Sequence, residues 1–150
     1  METIKPIQTE YNGYLFRSRL EARWAVFFDA AGVDYKYENE GYVLPDGSWY
    51  LPDFEVKAKD DEIYWFVECK GQFDEEGLHK AQMLDCYPPE PFLGVIILTN
   101  TPSPYIREKF SENFNQTEYL VCWLGIDHNT AIKAALKARQ ARFEHGETPS

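Results

Sequence analysis

Cysteine is scarce and scattered here: Cys69, Cys86 and Cys122 show no Cys-x-x-Cys spacing, which speaks against a disulfide framework or a thiolate zinc site. Long apolar runs are missing as well. No stretch approaches the ~18 residues of a membrane-spanning helix, and the opening METIKPIQTE lacks the apolar centre of a signal peptide. The expected setting is the reducing cytoplasm. Internal repeats, low-complexity tracts and linkers are absent too, so 150 residues read as a single domain with a core of its own. The histidines, His79, His128 and His145, have no ligand spacing, and no His-Asp or Cys-His pairing is readable.

Positive charge is in short supply: 15 Lys and Arg face 25 Asp and Glu, for a net charge of −10. At first sight this argues against a nucleic-acid ligand, which usually meets a basic surface. The distribution softens that conclusion. Arg17, Arg19 and Arg23 cluster near the start, and Lys133, Lys137, Arg139 and Arg142 near the end. Each cluster reads either as a solvated helix face or as a contact for phosphate.

What the chain does have is an alternation of helix-like and strand-like segments. Residues 1–13 read as an extended lead-in. In 16–32, FRSRLEARWAVFFDAAG, the residues Leu20, Trp24, Phe27, Phe28 and Ala31 form an apolar helical stripe that Gly32 ends. Strands are expected at 33–44, 49–56 and 63–71, with PDGS (45–48) as a turn and KAKDDE (57–62) as a second. A helix over 74–86 follows, with acids in its first turn. FLGVIILTN (92–100) is apolar enough for a strand covered on both faces. A short helix is expected after Thr101, a further strand at 118–125 and an amphipathic helix at 128–144. That helix would pack through Ile132, Ala135, Leu136 and Phe143. The order predicts an α/β fold, a mixed central sheet flanked by helices, over 14–145, with 146–150 as a polar tail.

Two strands carry charges where charges are costly: Asp53 in WYLPDFEV, and Glu68 and Lys70 in WFVECKG. Strand alternation puts Glu68 and Lys70 on one face. If the two strands pair, Asp53 comes within a few ångströms of Glu68. Two carboxylates so placed repel unless one takes a proton or a cation joins them. Mg²⁺ suits such a site, because it takes one or two carboxylates together with waters and substrate phosphate. A second Pro-Asp/Glu-x-Lys pattern, Pro45-Asp46 with Glu55 and Lys57, fits a turn and a solvated loop instead.

Pro52-Asp53, fourteen residues, then Glu68-Cys69-Lys70 resembles the motif of the PD-(D/E)XK nuclease superfamily. From Phe16 to Gly71 the chain is most similar to the catalytic domain of Tn7-type transposon endonucleases and related small phage or mobile-element nucleases. The SRLE helix, the Tyr-rich strand, YLPDF and VECKG follow in that order. The resemblance implies a restriction-endonuclease-like αβββαβ core, with one extra strand and a C-terminal helix here. It implies an Mg²⁺- or Mn²⁺-dependent endonuclease acting on DNA and leaving 5′-phosphate and 3′-hydroxyl ends. Asp53 and Glu68 would hold metal with the Cys69 backbone carbonyl, Lys70 would be the catalytic lysine, and Glu21 would complete the acids. Lys80 or Gln82 would be the polar helper of the second helix, although Cys86 stands where that pattern has tyrosine. A homodimer or a targeting partner protein would choose the target.

Two other readings stand beside these. Ser18 and Glu21 fit a capping box, in which Glu21 serves only the backbone. The acidic charge also suits a non-catalytic binding or inhibitor protein on a nuclease scaffold, one that mimics nucleic acid or grips another protein.

Overall fold

The computed structural model describes residues 8–59, 62–70, 74–99, 101–102 and 116–143. Its centre is a mixed four-stranded sheet in the order β3-β6-β7-β8, formed by Asp34–Tyr37, Phe54–Lys57, Tyr64–Cys69 and Phe92–Leu98. The first three strands are antiparallel neighbours, and β8 runs parallel to β7. A parallel neighbour needs a crossover. Helix α2 (Glu75–Cys86) supplies it, capped by the Asp74 carboxylate, which accepts from the Gly77 N–H.

Helix α1 (Arg19–Ala31) covers one face of the sheet. Ser18 caps its start, and Gly32 ends it at φ 73°, a left-handed conformation that suits glycine. Trp24, Phe27 and Phe28 are fully buried with Phe54, Val56, Val67, Ile96 and Leu98 from the sheet. The C-terminal helix α4 (His128–Gln140), capped by Asp127, packs beside α1. The opposite face carries a smaller cluster of Leu44, Tyr50, Phe66, Ala81 and Leu84, with Val95 and Ile97 against it. Strand β8 is thus covered on both faces, as its composition predicts.

Several expectations change. The extended lead-in proves to be part of a hairpin: Thr9–Tyr11 (β1) pairs with Tyr14–Phe16 (β2), while residues 1–7 lie outside the described residues. Phe16 therefore ends a strand, and α1 begins only after the Ser18 cap. The tyrosine-rich segment divides into β3 and β4 (Tyr42–Val43), with Glu38 at a positive φ of 45° between them. The segment WYLPDFEV divides too, into β5 (Trp49–Tyr50) and β6, with β5 paired to β4. Proline lacks the N–H a ladder needs, so Pro52 falls naturally in that break.

The extra strand expected at 118–125 is a helix, α3 (Gln116–Leu124). Leu120 and Leu124 are buried while Cys122 between them is exposed. That is helical i, i+4 spacing, since a strand would bury all three on one face. An apolar run alone does not distinguish the two states. Helix α4 packs through Ala131, Ala134, Ala135 and Ala138, whereas Leu136 is 42% exposed. Small side chains let two helices approach closely, so the alanine face wins over the bulkier one. The short helix expected after Thr101 and the tail at 146–150 lie outside the described residues. Among the described residues no helix is long and apolar enough to cross a membrane.

Candidate active site

The antiparallel register of β6 and β7 ends at Phe54↔Val67. The next opposed pair is Asp53 and Glu68, and here side chains take over the ladder. The Asp53 N–H donates to Glu68 Oε1 at 2.9 Å, and the Cys69 N–H donates to Asp53 Oδ2 at 2.9 Å. Each carboxylate is thus fixed by the backbone of the other strand. The Asp53 carbonyl accepts from the Glu38 N–H at 2.8 Å, which anchors the corner to the neighbouring strand.

Both acids are buried, Asp53 to 8% exposure and Glu68 to 1%. Burial raises both pKa values. For Asp53 the Glu68 charge raises it further, while the Cys69 N–H and Lys70 oppose the shift. For Glu68 the opposing influences are the Tyr50 hydroxyl, the Asp53 N–H and Lys70. An exposed cross-strand ion pair does not describe this corner. Lys70 lies just past the end of β7, exposed, with its N–H bonded to the Leu98 carbonyl at 3.0 Å. Its charge reaches both acids. The Cys69 side chain turns into the main core, where burial raises its thiol pKa.

Glu21 combines features of both readings weighed for it. Ser18 Oγ accepts the Glu21 N–H at 3.1 Å, half of a capping box. The Glu21 carboxylate does not complete the box on the backbone. Instead, Oε1 accepts from Ser18 Oγ at 2.9 Å and Oε2 accepts from the Tyr37 hydroxyl at 2.6 Å. At 5% exposure, burial pushes its pKa up to about 7, helped by the Asp53 charge and opposed by these two hydrogen bonds. Glu21 therefore lies within the electrostatic reach of the pair, with both oxygens engaged.

The residues fit a hard cation held mainly by two carboxylates, since the available donors are oxygens and Mg²⁺ needs few of them from protein. A buried Tyr50 hydroxyl with no hydrogen bond adds a polar group still seeking a partner. Among the described residues no third His, Cys, Asp or Glu side chain joins the two carboxylates to make a group of three.

The basic candidates separate. Arg17 pairs with Glu38 at 2.7 Å on the surface. Arg23 is a structural clamp: its Nη1 donates to the carbonyls of Ala138, Arg139 and Ala141, and its guanidinium lies 5.4 Å from the Phe143 ring centre. These bonds satisfy the end of α4. Arg19 is half-buried at the first position of α1. Lys80 bonds the Trp49 carbonyl at 3.3 Å and Glu76 at 3.4 Å, tying α2 to β5, while Gln82 is exposed on α2. The rival motif dissolves: Asp46 accepts from Ser48 within its turn, and Glu55 accepts from Asn39.

Sequence reasoning missed Tyr37 and Tyr50. Their segments were visibly rich in tyrosine, but which hydroxyl meets which acid depends on where each strand breaks. Comparison with protein-family models, curated proteins and solved structures found no match.

Proposed function

We propose that the chain is a metal-dependent nuclease that hydrolyses DNA phosphodiester bonds, built on a restriction-endonuclease-like core. The observation that carries this reading is the reciprocal fixing of Asp53 and Glu68, two adjacent buried carboxylates at a strand break beside Lys70. Burying two acids together is costly, and packing alone gives no reason for it. The succession α1, β3, β6, β7, α2 and β8 also follows the helix–meander–helix–strand order of the PD-(D/E)XK resemblance.

In this reading Asp53 and Glu68, with the Cys69 carbonyl, would hold Mg²⁺ or Mn²⁺. Such an ion, when bound, lowers the pKa of a water and offsets charge on a phosphate. The rest falls to the chain. The Asp53 and Cys69 N–H groups each hold one oxygen of a carboxylate, which limits the reorganisation needed when substrate arrives. Lys70, exposed at the rim, reaches a scissile phosphate and orients or deprotonates the attacking water. Glu21, held by Ser18 and Tyr37, adjusts the charge of the pair from behind. Target choice is assigned to a second copy of the chain or to a targeting protein.

The competing reading, an acidic binder without catalysis, is favoured by the charge of −10, which slows approach to DNA and makes it salt-dependent. A cleavage assay decides between them. Single-stranded, linear, nicked and branched DNA, alongside RNA, are incubated with Mg²⁺ or Mn²⁺ and wild-type protein, Asp53→Ala or Lys70→Ala. Metal-dependent cutting of DNA that both variants lose is the expected result. Absence of cutting on every substrate, together with no rise in melting temperature on adding Mn²⁺, would leave the binder.

A further inference from the structure

Tyr50 ends β5 and is 8% exposed, its ring packed among Leu44, Phe66, Ala81 and Leu84. Its hydroxyl is buried and completes no hydrogen bond. Phe66, in the same cluster, stands two residues before Glu68 on one face of β7, so the Tyr50 ring lies on the side of the sheet to which Glu68 points. A buried hydroxyl in that position is unfavourable, and phenylalanine would fill the same space without the cost. Packing therefore does not account for the oxygen.

Glu68 offers the reason. One of its oxygens, Oε1, is held by the Asp53 N–H, and a further donor on the carboxylate would set its plane. Ligating carboxylates are themselves held by outer hydrogen bonds, and losing such a partner weakens metal affinity. We propose that Tyr50 is a positioning residue of a divalent-cation site at Asp53 and Glu68, its hydroxyl closing onto Glu68 to set the orientation of that carboxylate. This rests on the metal site of the nuclease reading.

The test uses the full chain and the metal alone. Mn²⁺ binding is measured by titration calorimetry for wild type, Tyr50→Phe and Asp53→Ala, and each is melted without metal. The wild-type site is identified as the binding that Asp53→Ala loses. Tyr50→Phe is expected to weaken Mn²⁺ binding about 10–100-fold while its metal-free melting temperature holds or rises. Unchanged Mn²⁺ affinity overturns the inference and leaves the nuclease reading intact. Weaker binding with a lower metal-free melting temperature also overturns it, because a loosened pocket would produce both. If wild type takes up no Mn²⁺ that depends on Asp53, the inference and the metal site fall together.

Discussion

The layer between α1, α4 and the sheet and the corner at Asp53 and Glu68 are both buried, yet they are built on opposite terms. In the layer, Trp24, Phe27, Phe28 and Phe54 meet edge to face or tilted, and alanines let α4 come close. Charged groups at its rim have partners: Arg23 closes the end of α4, and Asp29 accepts from Tyr11 and Tyr35. In the corner, two acids are hidden from water with backbone N–H groups as their main support, and a tyrosine hydroxyl beside them bonds to nothing. The first arrangement stabilises the fold. The second works against it, and the proposed metal site gives a reason for it.

The sharpest way to break that contrast is to remove one acid or the lysine. Lys70→Ala should cut cleavage by about 10²–10⁴-fold, the range for a positioned proton-transfer group. Asp53→Ala should abolish both cleavage and Mn²⁺-induced stabilisation, while its metal-free melting temperature stays level or rises. A fall in metal-free stability for Asp53→Ala would mean the corner is structural after all. In the layer the pattern reverses. Phe28→Ala should cost about 3–5 kcal/mol by urea unfolding, yet its folded fraction should still take up Mn²⁺.

Glu21 lies between the two regions and gives a pH-dependent test. Its folded pKa of about 7 is above the ordinary 4.5, so the fold favours the neutral form. Stability from this group is intact below pH ~4.5, falls as pH rises toward ~7, and is level above that. Glu21→Gln escapes the loss. Unfolding without metal should show the variant more stable than wild type by up to about 3 kcal/mol at pH 8 and equal to it at pH 4. A variant less stable at both pH values would mean that the Ser18 and Tyr37 bonds outweigh the burial of charge. The smallest effect belongs to the helix contact: Ala135→Leu should overpack the layer by about 1–3 kcal/mol, seen as a lower urea midpoint with cleavage by the folded protein unchanged.

Much of the frame was legible because it is written locally. Gly32 ends α1 where a left-handed residue is needed, and acids open α2. The turn at PDGS follows from short-range chemistry, with Asp46 accepting from Ser48. The period of two in WFVECKG put Glu68 and Cys69 on opposite faces, as they are. Where a segment was apolar on all sides, as at 118–125, period and length did not separate strand from helix, and the packing of Leu120 and Leu124 decided it. Ile132 and Leu136 looked like the packing face of α4 because they are the larger side chains. The partner surface on α1 selected alanines instead.

The sequence by itself determined that this chain folds as mixed α and β, that Asp53, Glu68 and Lys70 stand in sheet-like segments, and that Ser18 and Glu21 fit a helix start. Those properties depend on neighbours within a few residues. Only the tertiary structure decided that the Asp53 N–H turns to Glu68 and the Cys69 N–H to Asp53, and that Tyr37 takes hold of Glu21. It likewise decided that Arg23 closes a helix more than a hundred residues away, and that the Tyr50 hydroxyl is left beside an acid. Those contacts depend on strand register and on where each strand breaks, and both are set by the burial of the whole core at once.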